Sequence, residues 1–180
     1  LLGFMKDTEA VGYFTAATKI MVITMSISSA LGAVIMPRTS NLIAEERMDE
    51  FKALVQKSYD FIFALAMPLM VGLIFTSPSA VLLLSGEGFV PAILTSQIVA
   101  FNILTVGLSG VMGIQVLYPL GKINIVILCT SIGAIINVFL NVLLIPRYGH
   151  NGTAVAYMLA EMTVTVSMFS SERGIFLFGS

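Results

Sequence analysis

Two ionisable side chains lie deep inside apolar runs of this chain. Lys19 sits in VGYFTAATKIMVITMSISSALGAVIM, and Glu161 in GTAVAYMLAEMTVTVSMF. A charge at the centre of a membrane helix costs about 3 kcal/mol on insertion scales. Charges kept there usually face a cavity or a partner. An ammonium could hold an anion, and a carboxylate could exchange a proton or neutralise the ammonium. Lys19 lies eight positions in from Val11 and Glu161 eight in from Thr153, or about 12 Å each at the helical rise. The two helices are expected to start from the same face of the membrane, so the two charges should lie at one depth.

Hydroxyls and amides accompany them. Thr15, Thr18, Lys19, Ser26 and Ser29 fall within about 60° of a common direction at ~100° per residue, a narrow polar stripe on an apolar helix. Asn137 and Asn141 stand one turn apart, with Gly133 in the same row. Amides so placed could bond sugar, or tie two helices together for about 0.6–2 kcal/mol each. Gln97, Asn102 and Gln115 admit the same two readings. The plain alternative for Lys19 is snorkelling toward the headgroups, and for either charge a structural ion pair.

Other chemistries lack their parts. His150, the only histidine, falls in a turn, and Cys129, the only cysteine, lies in an apolar run, so neither a disulfide nor a metal cluster is expected. The sequence holds no phosphate-cradling glycine loop and no paired catalytic carboxylates, so no cofactor, metal or enzymatic activity is expected. A net charge of −1 gives no basic field for nucleic acid.

The elements that carry these residues are membrane spans. Hydrophobic residues make up 57% of the chain and charged residues 11%, with a mean hydropathy of +0.98; soluble domains carry about 25% charged residues. The expected fold is all-α, a polytopic helix bundle. Residues 1–5 read as the end of a preceding helix. The bundle occupies 10–170, with spans at about 10–36, 59–84, 90–118, 123–145 and 153–169. Pro37 should close the first span. The segment 38–58 opens on Arg38 and mixes Leu42, Ile43, Phe51 and Val55 with seven further charged residues (Glu45, Glu46, Arg47, Asp49, Glu50, Lys52, Lys57). It reads either as an amphipathic surface helix or as a solvated connector. Residues 171–180 form an unassigned tail. With Leu1 at its start, the sequence is expected to be part of a longer protein. The basic residues of 38–58 place that loop in the cytoplasm, together with Lys122 and Arg173, while Lys6 and Arg147 oppose the rule.

With the spans laid out, the sequence resembles the C-terminal half of polysaccharide-transporter (Wzx-like) flippases, of the multidrug/oligosaccharidyl-lipid/polysaccharide exporter superfamily. The resemblance runs from Val11 to Glu161. It is carried by VGYFTAATKI, Pro37-Arg38, Lys57-Ser58, AMPLMVGL, LLSGEGF, GIQVLYPLGK and NVFLNVLLIPRYGHNGTAVAYMLAE. It implies most of one lobe of a two-lobed (MATE/MOP-type) transporter in the bacterial inner membrane. It also implies flipping of undecaprenyl-pyrophosphate-linked oligosaccharide for O-antigen and related polysaccharides, by alternating access coupled to an ion gradient. The partners are then the lipid-linked cargo, membrane lipids and an N-terminal lobe outside this sequence. On this expectation Lys19, Thr15, Thr18, Ser26, Asn137 and Asn141 line the cavity and Glu161 couples the ion. The competing classes are a multidrug or cation antiporter, which would favour acidic cavity residues over a lone lysine, and a polytopic glycan polymerase or ligase, which would need a large extracytoplasmic loop.

Overall fold

The computed structural model describes the backbone of residues 1–178, with side chains for 1–26 and 35–171. Ser29 of the polar stripe, Arg173 and most of the 171–180 tail therefore lie outside the described side chains. Every regular element described is helical: α1 (Leu2–Met5), α2 (Thr8–Ala44), α3 (Met48–Ser85), a 3₁₀ turn (Glu87–Phe89), α4 (Ala92–Ala100), α5 (Asn102–Gly110), a π-helix (Val111–Leu117) and α6 (Ile123–Phe178).

Among the described residues, three stretches are long and apolar enough to cross a membrane: Met48–Ser85, Ala92–Leu117 and Ile123–Ser171. The last is two helices joined. Gly149, with φ 54° and ψ −130°, breaks α6 into two arms. The arms fold back on each other, because the position a Cβ would take on Gly152 lies 2.7 Å from the Leu144 carbonyl oxygen. On Gly133 it would lie 2.2 Å from Val164 Cγ2. Only glycine permits backbones this close.

Helix ends follow from local chemistry. Asp7 caps α2 by accepting a hydrogen bond from the Ala10 N–H at 2.7 Å, the usual N-terminal service of a short acidic side chain. Pro37 does not close the helix as the sequence suggests; α2 continues to Ala44. Proline's φ suits a helix, and only one hydrogen bond is forfeited. The 38–58 segment is accordingly divided between the end of α2, a turn, and the start of α3. The turn is a left-handed cap: Glu46 takes φ 58°, Arg47 N–H bonds Leu42 O and Glu46 N–H bonds Ile43 O. Arg47 braces it from outside by donating to Glu45 and Glu50, which hold its pKa above the usual value. Gly121 (φ 69°) builds the same cap after the π-helix, with Lys122 N–H bonded to Leu117 O.

Burial marks one stripe per helix. On α3 it runs Phe51, Val55, Ser58, Ile62, Ala66, Met70, Leu73, Ser77, Val81, the three-and-four spacing of a single packed face. It meets Ala17, Ile20 and Met21 of α2 and Val99, Ala100 and Ile103 of α4–α5 in the main core. Pro68 and Pro78 lie inside α3. Pro78 leaves the Ile74 carbonyl without its helical donor, and Gln97 of α4 supplies one from its Nε2 at 3.2 Å. A neighbour thus satisfies a group that hydrocarbon could not.

The turns at Gly86 and Gly149 share one end of the bundle. Tyr13 packs edge-on against Phe89, with ring centroids 5.7 Å apart, and against His150 at 5.2 Å. His150 Nε2 lies 3.3 Å from Pro91 O, and Thr95 donates to Asn151 Oδ1 at 2.7 Å. These contacts clamp α2, α4 and the α6 turn together.

The glycine contacts give the first prediction. Gly152→Ala places a methyl against backbone and should destabilise the protein by about 1–3 kcal/mol. Gly72→Ala, whose Cβ meets nothing within 4 Å, should be neutral or slightly stabilising. Thermal unfolding of the two variants in one detergent measures the difference.

Candidate functional site

The α6 hairpin builds the site. Gly133 lets the second arm press against the first, and around that contact a cavity of about 430 Å³ opens between the arms and α5. Asn137 and Thr130 reach it from the first arm, Tyr157 and Glu161 from the second, and Ser109 from α5. Glu161 is half-buried, and no basic side chain lines this cavity. A carboxylate, an amide and a phenol thus face one space with no internal counter-charge. Such a set can take up a proton or bond several hydroxyls.

Asn137 is held from one turn away. Asn141, 4% exposed, donates from Nδ2 to Asn137 O at 2.9 Å and to Asn137 Oδ1 at 3.0 Å. Asn141 Oδ1 is itself buried without a partner. On the far side of Glu161, Thr165 Oγ1 lies 2.8 Å from Glu161 O and 3.0 Å from Thr105 O, tying this arm to α5.

The α2 candidates lie elsewhere. Thr15, Lys19 and Ser26 are exposed and Thr18 half-exposed, beside exposed Val22 and Ile23. The opposite side of α2 holds buried Ala10, Ala17, Ile20 and Met21. The hydroxyls bond back to their own helix: Thr18 to Phe14 O and Thr15 O, and Ser26 to Ile23 O. Lys19 forms no ion pair with Glu161, and none of the four lines the cavity that holds Glu161 and Asn137. The expectation of equal depth left open the direction around the helix axis, and Lys19 points away from this cavity.

Among residues outside the sequence expectation, Tyr157, Thr130 and Ser109 line the cavity. Tyr157 was findable, since it stands one turn before Glu161 on the same face. Of the lesser candidates, Gln97 serves the Ile74 carbonyl, whereas Asn102 (0% exposed) and Gln115 (3%) are buried with unpartnered side-chain atoms.

Long apolar helices, with half-buried polar groups gathered in a cleft between them, define a multi-pass helical membrane protein of the transporter type. Residues 7–174 match the family model described as Lipid II flippase MurJ, and the chain belongs to that family, one of lipid-linked flippases and not of enzymes. It is similar to the probable low-salt glycan biosynthesis flippase Agl15 of Haloferax volcanii, 25% identical over 166 residues. That alignment covers 92% of this chain and 35% of the relative, so the chain spans about a third of the relative's length. No solved structure matches.

Asn141 separates stability from function. Replacing a buried amide whose oxygen has no partner removes a desolvation cost of about 1–3 kcal/mol along with two donor contacts. Asn141→Leu should therefore leave the melting temperature nearly unchanged while lowering transport. A large drop in melting temperature would make Asn141 a structural brace instead.

Proposed function

We propose that this chain is the larger part of one lobe of a flippase that moves undecaprenyl-pyrophosphate-linked oligosaccharide across the bacterial inner membrane, for O-antigen-type polysaccharide assembly. It crosses the bilayer five times: once by α2, once by α3, once by α4 through the π-helix, and twice by the α6 arms. The Glu46 turn faces the cytoplasm and the Gly149 turn faces outside. The family match and the glycan-flippase relative support the cargo class. The basic residues around the Glu46 turn support the orientation.

The observation that carries the mechanism is the uncompensated carboxylate in the hairpin cavity. Glu161 exchanges a proton as the cavity changes access, and Asn137, Asn141 and Tyr157 supply bonds that differ between the two states. Lys19, with Thr15, Thr18 and Ser26, faces a second lobe outside this sequence and holds the pyrophosphate or an acidic sugar between the lobes. A lone lysine on that stripe disfavours cationic drugs as cargo. A second reading, with lipid II itself as the cargo, is favoured by the name of the matching family.

The test uses the full protein in proteoliposomes with a proton gradient. Glu161→Gln preserves shape and hydrogen bonding while removing the titrating group. It should abolish gradient-driven flipping of a lipid-linked oligosaccharide and leave the protein folded. Undiminished transport would remove Glu161 from coupling. Cells lacking the protein should accumulate cytoplasm-facing lipid-linked repeat units; accumulation of lipid II alone would select the second reading.

A further inference from the structure

The α6 turn presents an arginine that the transport reading does not use. Arg147 follows Pro146 at the end of the first arm, and its side chain is exposed. It borders a separate cavity of about 570 Å³. The walls are aliphatic: Leu94 and Ile98 from α4, Leu144 and Val155 from the two arms. Asn151 lines the same space, and its amide oxygen is already taken by the Thr95 hydroxyl at 2.7 Å. What Asn151 has left to offer a ligand is its amide N–H. No carboxylate lines the cavity.

The groove therefore has donors and a positive charge at one end and hydrocarbon along the rest. Its depth fits the same division. From Ile123 to Arg147 the first arm spans roughly 37 Å at the helical rise, against a hydrocarbon core of about 30 Å. Arg147 thus sits near the headgroup boundary, beside exposed Tyr148, an aromatic suited to that level. Leu94, 52% exposed, leaves the groove open to its surroundings.

We propose that this groove binds one anionic glycerophospholipid of the surrounding bilayer. Arg147 and Asn151 hold the phosphate, and one acyl chain lies along Leu94, Ile98, Leu144 and Val155. An anionic headgroup is selected because the lining offers no carboxylate to an ammonium, so a zwitterionic lipid loses half of its headgroup contacts. The site lies apart from the Glu161 cavity, and the proposal requires only that the chain spans a membrane, whatever its cargo.

The experiment places the full protein in phosphatidylcholine nanodiscs containing a minor fraction of phosphatidylglycerol and counts retained lipids by native mass spectrometry. Phosphatidylglycerol should be retained over phosphatidylcholine. Arg147→Gln should cut that preference about tenfold, the size of one charge-assisted contact. Leu94→Trp, which fills the groove and keeps the charge, should do the same. Both side chains are exposed, so both variants should fold, which melting curves will verify. Equal retention of the two lipids, or no effect of Arg147→Gln, overturns the proposal. Loss with Arg147→Gln but not Leu94→Trp reduces the site to bare surface charge and overturns the groove. Displacement of phosphatidylglycerol by an equal amount of polyprenyl phosphate reassigns the groove to the carrier lipid and overturns it as well.

Discussion

The close approach of the two α6 arms is the contact on which the candidate site depends. In a bilayer the lipid tails are as apolar as the helices, so packing and hydrogen bonds must supply the association. Gly133 and Gly152 supply it by removing the side chains that would hold the arms apart. Val164 then fills the space over Gly133, and Leu144 backbone lies over Gly152. With the arms fixed at these two levels, the residues between and below them have no freedom in choosing neighbours. Asn137 and Glu161 share a cavity for this reason.

The second constraint is that hydrocarbon offers no hydrogen bonds. Where the helices forfeit one, a neighbour is in place: Gln97 at the Ile74 carbonyl freed by Pro78. The exceptions concentrate in Ala92–Leu117, where Ser96, Asn102 and Gln115 keep buried, unpartnered atoms. An unmet buried group costs about 1–3 kcal/mol. That stretch also departs most from α-helical geometry, with a break at Phe101 and seven residues of π-helix. Irregular helix of this kind recurs at functional positions in proteins generally. Geometry and unsatisfied polarity thus coincide in the element that packs between α3 and the hairpin.

The helical membrane class was legible in composition and in the apolar runs, and the flippase relationship in the order and spacing of short motifs. The ends were less so. Pro37 reads as a stop, yet the helix absorbs it, because the loss of one bond is smaller than the gain from continuing. Glu46 gives no sign of its left-handed turn; Gly121, making the same cap, does. The pairing of Glu161 was misjudged for a geometric reason. Equal depth said nothing about the direction in which Lys19 points, and that direction is set by burial of Ala17, Ile20 and Met21 on the other side of α2. The correct neighbour was available from the turn itself. Asn137 lies twelve residues before Gly149 and Glu161 twelve after, so a tight hairpin must bring them together.

The separation of Lys19 from Glu161 changes what each charge requires. Paired, they would cancel, and neither would need a function. Apart, each carries its own cost of about 3 kcal/mol at the centre of a membrane helix. Glu161 meets its cost with a cavity, an amide and a phenol supplied by its own hairpin. Lys19 has nothing comparable, since Thr18 and Ser26 spend their hydroxyls on carbonyls of α2. On the proposed reading the stripe is therefore unfinished: its compensation comes from a second lobe and from anionic cargo between the two. Opposite charges placed on different surfaces then serve different steps, the cation holding phosphate and the carboxylate moving the proton that drives it across.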